Sequence, residues 1–305
     1  MPVLSVRHLT RYRYRNPVAL GEHRMMFRPR EGCDQRLLAS SLVIAPVASQ
    51  LRHMQDVFGN WVGVARFSGR TNDLTFLSTF TLDHAPLPLD CDPQADTADF
   101  SAGRQFAYDL DDFPDLAWSA QPQHADPDGV LAAWARRFVK ASGPTAVLPM
   151  LADMTQAIYA GLKYGKRLEH GVQTPLTTLE SHSGTCRDFA VLMMEAVRSL
   201  GLSAQFVSGY IHSPSRKAAL TERQGGGHTH AWLRVYLPSC GWVEFDPTNG
   251  IVGATDLIRV AVARDPRQAT PLHGSWSGFP TDFLKMDVEV EVSEVLAAAP
   301  ALAFG

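Results

Sequence analysis

The chain has 305 residues, of which 45% are hydrophobic, 19% charged and 9% aromatic. This is ordinary globular composition and excludes a disordered, collagen-like or coiled-coil chain, while the length predicts two domains at about 150 residues each. Lysine and arginine number 28 against 31 for aspartate and glutamate, a net charge of −3. Because the chain as a whole lacks a basic surplus, we expect no nucleic-acid partner.

The apolar stretches are too short to predict a membrane partner. The longest, Val295–Phe304, contains a proline and is about half as long as a membrane span. Basic residues from Arg7 to Arg13 precede any apolar core of a signal peptide. The sequence therefore predicts a cytoplasmic protein, whose thiols stay reduced.

The first 90 residues carry the pattern of an antiparallel β domain. Residues alternate with period two over Val3–Tyr14, which predicts a strand. Further short strands are predicted at 22–27, 38–44, 51–58, 61–67 and 74–82. Gly59 and Asn60 between two of these strands are typical of a tight turn. Strands that follow one another without helices predict a small sandwich or barrel.

Residues 91–127 predict a linker, since prolines recur there among many aspartates and alanines. A catalytic domain is then expected over 128–270. Helices are predicted at 130–139, 147–162 and 185–200, and strands at 204–211, 229–237, 242–246 and 258–264. Helices followed by strands predict an α+β fold with an antiparallel sheet. Residues 271–305 predict a last strand, 283–292, and a tail, and the pattern leaves open which domain this strand joins.

The four cysteines have no spacing that indicates a disulfide framework or a zinc site. They are Cys33, Cys91, Cys186 and Cys240. Cys186 falls in the first turn of the third predicted helix, where free N–H groups and the helix dipole favour thiolate over thiol. The alternative for Cys186 is a buried helix cysteine, and the other three are expected to be small structural groups.

Two residues beside Cys186 fit a site for chemistry. The preceding Gly184 allows the backbone to approach a substrate closely. Asp188, two residues after the thiol, suits the first turn of a helix, where its carboxylate can satisfy free backbone donors.

The segment from His230 to Asp246 predicts a β-hairpin, because apolar and polar residues alternate along both halves. If the apolar sets share the core face, even residues pair with even residues. A connection from Tyr236 to Cys240 then places His230 opposite Asp246, although other connection lengths leave other pairings open. Opposed residues have Cβ atoms about 5 Å apart, so this face is predicted to carry a His–Asp dyad.

A thiol at a helix start and a His–Asp pair form the set that nucleophilic catalysis requires. Three segments carry a family resemblance: GTCRDFAVLMMEAVRSLGLSAQFVSGY (184–210), HAWLRVYL (230–237) and GWVEFDPTN (241–249). In this order and spacing they resemble the transglutaminase-like cysteine protease and acyltransferase superfamily. More narrowly, they resemble its bacterial members, which carry an N-terminal β domain.

This resemblance implies a papain-like or transglutaminase-like core, in which the helix bearing Cys186 packs on an antiparallel sheet. It implies Cys186 as nucleophile, His230 as base and Asp246 as the orienting carboxylate in an acyl-thioester mechanism. The expected substrate is a peptide or protein amide, and no cofactor or metal is expected. Calcium dependence is not carried over, because the calcium-ligand loop of the animal cross-linking enzymes is missing. Gly184, Trp232 and Trp242 are candidate substrate-binding residues.

Hydrolysis is predicted over transfer to an amine, because the polar, glycine-rich stretch 213–227 has no apolar run that could exclude water. A transglutaminase proper and a non-catalytic binding module remain alternatives. So does an enzyme similar to the arylamine acetyltransferases, which would use the same triad with acetyl-CoA. A metal hydrolase would instead use His228 and His230, with Cys240 or His212 as a further ligand.

Overall fold

The computed structural model describes residues 2–165, 171–213 and 223–295. The chain forms two compact units. The first comprises Met1–Pro86, Gly226–His228 and Leu272–Gly305, and the second comprises Leu87–Gly225 and Thr229–Pro271.

The first unit is built on one antiparallel sheet, in which seven strands pair among the described residues. The strands are β1 (Val3–Met25), β2 (Gln35–Ala45), β3 (Gln50–Gln55), β4 (Trp61–Arg66), β5 (Arg70–His84), β15 (Leu272–Ser277) and β16 (Phe283–Val295). Their order is β2-β5-β1-β4-β3, and β15 and β16 both pair with β1. The predicted antiparallel β domain is therefore confirmed, and the last strand of the chain belongs to it.

Strand β1 joins two segments that the sequence predicts as separate strands, 3–14 and 22–27. It is long enough to pair with β5 and β16 through its first half and with β4 and β15 through its second. Alternate residues such as Leu4 and Val6 are buried. The period-two pattern thus marks the core face, as expected for a half-buried sheet.

The second unit contains the helices and a smaller sheet. Its helices are α1 (Phe113–Ala120), α2 (Val130–Arg136), α3 (Val147–Gly161), α4 (Pro175–Ser181) and α5 (Cys186–Ser199). Its strands are β6 (Thr97–Ala98), β7 (Thr145–Ala146), β8 (Lys163–Tyr164), β9 (Ser183–Gly184), β10 (Ala204–Ile211), β11 (His230–Leu237), β12 (Gly241–Asp246), β13 (Ile251–Val252) and β14 (Leu257–Ala263). Within the described ranges, five of these strands form a sheet in the order β13-β12-β11-β10-β14. The α+β class is confirmed.

Helix α5 packs on strands β10 and β11 of this sheet. All of its residues from Asp188 to Arg198 are buried, which identifies it as the central helix of the unit. Its end is set by Gly201, whose φ of +87° is the left-handed conformation that glycine adopts at low cost. None of the helices described here is long and apolar enough to cross a membrane.

A buried ion pair fixes the C-terminal half of α5. Arg198 donates to Glu195 at 2.6 Å and to the carbonyls of Ser119, Ala204 and Arg264 at 2.8–3.0 Å. The second carboxylate oxygen of Glu195 accepts the backbone N–H groups of residues 123 and 124 at 2.7 and 2.8 Å. These bonds fasten α5 to the ends of α1, β10 and β14.

Residues 91–127, predicted to be a linker, are instead packed into the second unit. Within this segment, Tyr108 accepts the N–H of Ser203 at 2.8 Å and donates to the carbonyl of Tyr236 at 2.9 Å. The segment also contains α1 and supplies the donors to Glu195. Its many prolines and aspartates resemble the composition of a linker. The contacts that hold the segment come from single residues far apart in the sequence, so they leave no periodic pattern.

Cys91 and Cys240 form a disulfide, contrary to the expectation that both are unpaired. Their separation of 149 residues gives no spacing signal in the sequence, and the bond depends on the packing of the misread segment. Cys33 and Cys186 are the free cysteines. The prediction of a cytoplasmic protein assumed that all four thiols are reduced. Because disulfides are typical of oxidising compartments, the thiols no longer support that prediction. The compartment stays a prediction.

Candidate active site

Cys186 is the first residue of α5, and 8% of its surface is exposed. The helix start is held by the buried carboxylate of Asp188. It accepts the backbone N–H and the hydroxyl of Thr185 at 2.8 and 2.9 Å, and the N–H of Gln173 at 2.8 Å. The expected first-turn role of Asp188 is confirmed, and its carboxylate fixes Thr185, the residue that precedes the thiol.

His230, at the start of β11, donates from Nε2 to the Oδ2 of Asp246 at 2.8 Å. Both side chains have no exposed surface. Asp246, at the end of β12, also accepts the N–H of Thr248 at 2.9 Å and the Nδ2 of Asn249 at 2.8 Å. The carboxylate is therefore held from three directions.

The dyad forms by a register that differs from the expected one. Leu233 pairs with Phe245 and Leu237 with Gly241, so the connection is two residues shorter than expected and Trp232 is opposite Asp246. The even-with-even pairing is correct. His230 reaches Asp246 along the diagonal of the hairpin, a separation that long side chains can span.

The charges of the dyad reinforce each other. Burial alone lowers the pKa of His230, but the charge of Asp246, its hydrogen bond and the adjacent Cys186 raise it to about 10. Burial raises the pKa of Asp246, but the charge of His230 and the hydrogen bonds from residues 230, 249 and 248 bring it below its ordinary value. The favoured state is an imidazolium beside a carboxylate.

The other imidazole nitrogen, Nδ1 of His230, is buried and makes no ordinary hydrogen bond with a described residue. Since Nε2 is occupied by Asp246, Nδ1 is the atom left to meet the thiol of Cys186, whose hydrogen bond and charge raise the pKa of His230. Gly225 lies against the same nitrogen, because a Cβ at that residue would be 2.6 Å from Nδ1. Its φ of +91° also favours glycine.

Asn249 connects Gln224 to the dyad. Its place in the GWVEFDPTN segment is the only signal for it in the sequence analysis. Its Oδ1 accepts the N–H of Gln224 at 2.8 Å, and its Nδ2 donates to the Gln224 carbonyl at 3.1 Å. The same Nδ2 donates to Asp246. One side chain therefore holds both the carboxylate of Asp246 and the backbone beside His230.

Tyr164 is a second site residue that the sequence did not indicate. Burial, followed by the charges of Cys186 and Asp246, raises the pKa of its phenol to about 12. Strand β8 places it there, since Tyr164 pairs with Gly184 of β9, two residues before the thiol.

The three residues predicted to bind substrate each have contacts within the protein, and their role toward a substrate stays a prediction. Trp232 is fully buried, stacks on His230 with ring centroids 5.9 Å apart and donates to Glu244 at 3.2 Å. Trp242 lies under the guanidinium of Arg234 at 4.5 Å. Gly184 makes room for Asp188, whose Cβ would be 2.9 Å from an added Cβ. Trp232 thus positions the imidazole.

Cys240, one of the candidate metal ligands, is bonded to Cys91 and is therefore not a free thiol. Within residues 2–165, 171–213 and 223–295, no group of three or more His, Cys, Asp or Glu is placed to hold a metal.

A cavity of about 500 Å³ adjoins His230. Its walls come from α5, from β10 and β11, and from the chain that follows β14. The lining residues include Arg187, Val191, Phe206, Ala231, Asp265 and Arg267. Neither Trp232 nor Trp242 is among the described residues that line it. Of the stretch 213–227, residues 214–222 lie outside the described part of the chain.

Comparison with known proteins gives two family matches. Residues 4–83 match the bacterial transglutaminase-like N-terminal region, and residues 132–247 match the transglutaminase-like superfamily. The uncharacterized protein ML0607 of Mycobacterium leprae is 26% identical over 293 residues, which cover 96% of this chain and 99% of that protein. The uncharacterized protein Rv2569c of Mycobacterium tuberculosis is 28% identical over 287 residues, covering 88% and 86%.

The fold is also similar to that of a crystal structure from Cytophaga hutchinsonii, described as a candidate cysteine protease. The TM-score is 0.66 at 19% identity, and the match covers 98% of this chain and 92% of that one. The resemblance seen in the three sequence segments is thus confirmed at the level of family and fold. Residues 132–247 thus form a core of the transglutaminase-like superfamily, and residues 4–83 ahead of it form a bacterial transglutaminase-like N-terminal region.

Proposed function

We propose that the protein is a thiol-dependent hydrolase of a peptide or protein amide. Cys186 is the nucleophile, His230 the acid and base, and Asp246 the carboxylate that orients the imidazole. The observation that carries the proposal is the state of His230. One of its nitrogens is bonded to a buried carboxylate, and the other is buried beside a thiol at a helix start.

In the first half of the reaction, the thiolate of Cys186 attacks the carbonyl carbon of the amide. A C–S bond forms while the C=O π electrons move to the oxygen. When this intermediate collapses, the C–N bond breaks, and the proton on Nδ1 of His230 goes to the leaving nitrogen. Asp246 keeps Nε2 protonated throughout, so that Nδ1 is the atom that exchanges protons.

In the second half, Nδ1 of His230 takes a proton from water, and the oxygen of that water attacks the thioester carbon. The C–S bond breaks, and a carboxylic acid and the thiolate are released. Arg187 and Arg267 in the cavity lining are exposed, which supports access of water to the thioester. A primary amine in place of water would make the same intermediate a transglutaminase reaction.

The experiment is turnover of a synthetic peptide pool, followed by mass spectrometry of the products and of the intact protein. We expect hydrolysed product from the wild type and none from Cys186→Ala. Cys33→Ala is the matched control, because Cys33 is the other free cysteine and lies in the first unit. Activity that survives Cys186→Ala at the wild-type level would refute the proposal.

The choice between water and amine is tested with a labelled primary amine at millimolar concentration in the same assay. We expect most of the acyl groups to appear as hydrolysed product. If most of them carry the amine, the protein is a transglutaminase and the hydrolase assignment is wrong.

A further inference from the structure

The cavity beside His230 has an unequal set of charges. Among the described residues, its lining holds two arginines, Arg187 and Arg267, and one carboxylate, Asp265. The other titratable side chains in this described lining are His124 and His230.

One of the two arginines is already neutralised. Arg267 donates from Nε and Nη2 to the two oxygens of Asp265, at 2.9 Å each. Such a two-bond pair of guanidinium and carboxylate leaves no net charge for a ligand. The net charge of the described cavity lining therefore depends on Arg187.

Arg187 follows the nucleophile directly in the sequence. Its side chain is exposed and makes no ion pair or hydrogen bond with another residue in the described ranges. Its neighbour Asp188 is directed inward and holds the helix start. A guanidinium that lines the cavity thus has no anion from the described part of the protein.

We propose that Arg187 binds a carboxylate of the substrate. The substrate class is then an amide with a carboxylate within a few bonds of the scissile carbonyl. This inference rests on the proposed function, since it takes Cys186 as the attacking atom. The carboxylate can come from the C-terminus of a peptide or from the side chain of an aspartate or glutamate.

The surroundings of Arg187 strengthen such a contact. Val191, Phe206 and Ala231 are buried apolar residues in the wall of the same cavity. Arg187 itself is exposed, but apolar walls beside it lower the local dielectric on one side, so that a charge-assisted bond is stronger there than on a fully open surface. The planar guanidinium also matches a carboxylate with two parallel bonds, which a lysine cannot do.

The test compares alkylation of Cys186 by iodoacetate and by iodoacetamide, which differ only in the carboxylate. The measured quantity is the ratio of the two rate constants for Cys186, obtained by peptide mapping. We expect Arg187→Met to lower this ratio by about 10-fold or more, the factor that corresponds to one charge-assisted hydrogen bond. Arg187→Lys keeps the charge and is expected to give an intermediate ratio.

The control is the double variant Asp265→Asn with Arg267→Met, which removes a neutral pair from the same lining. The ratio of rate constants in this double variant should stay within about 2-fold of the wild-type ratio. This change is far smaller than the change expected from the loss of one charge-assisted bond. A ratio that is unchanged in Arg187→Met, with Cys186 still labelled, overturns the inference and leaves the proposed function intact. Failure of both reagents to label Cys186 overturns the two together.

Protection of Cys186 from iodoacetamide by peptides distinguishes the two sources of carboxylate. One pair of peptides differs in a free or amidated C-terminus, and the other in an internal glutamate or glutamine. We expect the acid of one pair to protect better than its amide in the wild type but not in Arg187→Met, and the pair that responds identifies the source. Equal protection by acid and amide in both pairs contradicts the inference.

Discussion

Buried charged groups lie at both ends of helix α5. The two ends differ in how many of the polar atoms of these groups have a hydrogen-bond partner. At the C-terminal end, Arg198 donates from Nε, Nη1 and Nη2, and both oxygens of Glu195 accept. At the N-terminal end, His230 uses Nε2 for Asp246 and leaves Nδ1 buried without an ordinary hydrogen bond.

This difference separates a structural network from a site. Nearly all buried polar groups in proteins are hydrogen-bonded, and an exception is a place where strain, a catalytic role or an unseen partner has to be considered. Glu195 and Arg198 hold elements together and have no atom left for a ligand. At the other end, the buried Nδ1 of His230 is left for the thiol of Cys186, and His230 is also one of the residues that line the cavity.

The largest expected effect is on the N-terminal end. Asp246→Asn should lower turnover by up to about 10⁴ while the fold is kept, because the amide favours the wrong imidazole tautomer. The measurement is kcat, together with the thermal unfolding midpoint. The control is Asp282→Asn, since Asp282 is a buried carboxylate of the first unit that accepts the side-chain amide of Asn16. Equal losses in the two variants would show that any buried carboxylate matters equally.

A substitution at the C-terminal end of α5 should lower the free energy of unfolding. Arg198→Met leaves the carboxylate of Glu195 without its cation, and loss of one partner of a buried pair costs about 3–5 kcal/mol. Urea unfolding measures this free energy. A loss in kcat without a loss in the free energy of unfolding would contradict the structural role.

The pH dependence of stability provides the next contrast. His230 has a pKa of about 6.5 when unfolded and about 10 when folded. Its contribution is fully present below pH about 6.5 and is lost as the pH rises through about 10, at no more than about 1.4 kcal/mol per pH unit. Unfolding free energies from pH 6 to 10 should fall more steeply for the wild type than for Asp246→Asn. Parallel profiles would contradict this prediction.

The smallest expected effect is at Asn249. Asn249→Ala removes one hydrogen bond to the charged Asp246 and both bonds to Gln224, and should lower kcat/KM about 10-fold. A shift of the pH profile of kcat/KM should accompany it, because Asn249 helps to keep the pKa of Asp246 low. A 10-fold loss without that shift would mean that Asn249 acts only through the covering backbone.

Much of the fold follows from local pattern in the sequence. The helix predicted at 185–200 is found at Cys186–Ser199, and the strand predicted at 229–237 is found at His230–Leu237. Apolar periodicity marks these elements because one face of each is buried. The same elements bring the thiol, the imidazole and the carboxylate into one unit.

Features that depend on distant packing could not be predicted. The hairpin register depends on the length of the turn at residues 238–240, which alternation leaves open. The disulfide joins cysteines 149 residues apart. Asn249 lies in a segment that the family resemblance covers. Its bonds to Gln224 depend on the folding of residues that are 25 positions apart in the sequence, which the pattern does not indicate.

The competition between the two free thiols tests the central claim most directly. Cys33 is exposed and Cys186 is buried, so access alone predicts that iodoacetamide labels Cys33 first. We expect brief treatment near neutral pH to label Cys186 first in the wild type, and to lose this preference in His230→Ala, because the imidazolium of His230 stabilises the reactive thiolate of Cys186. Preferential labelling of Cys33 in the wild type would contradict the account.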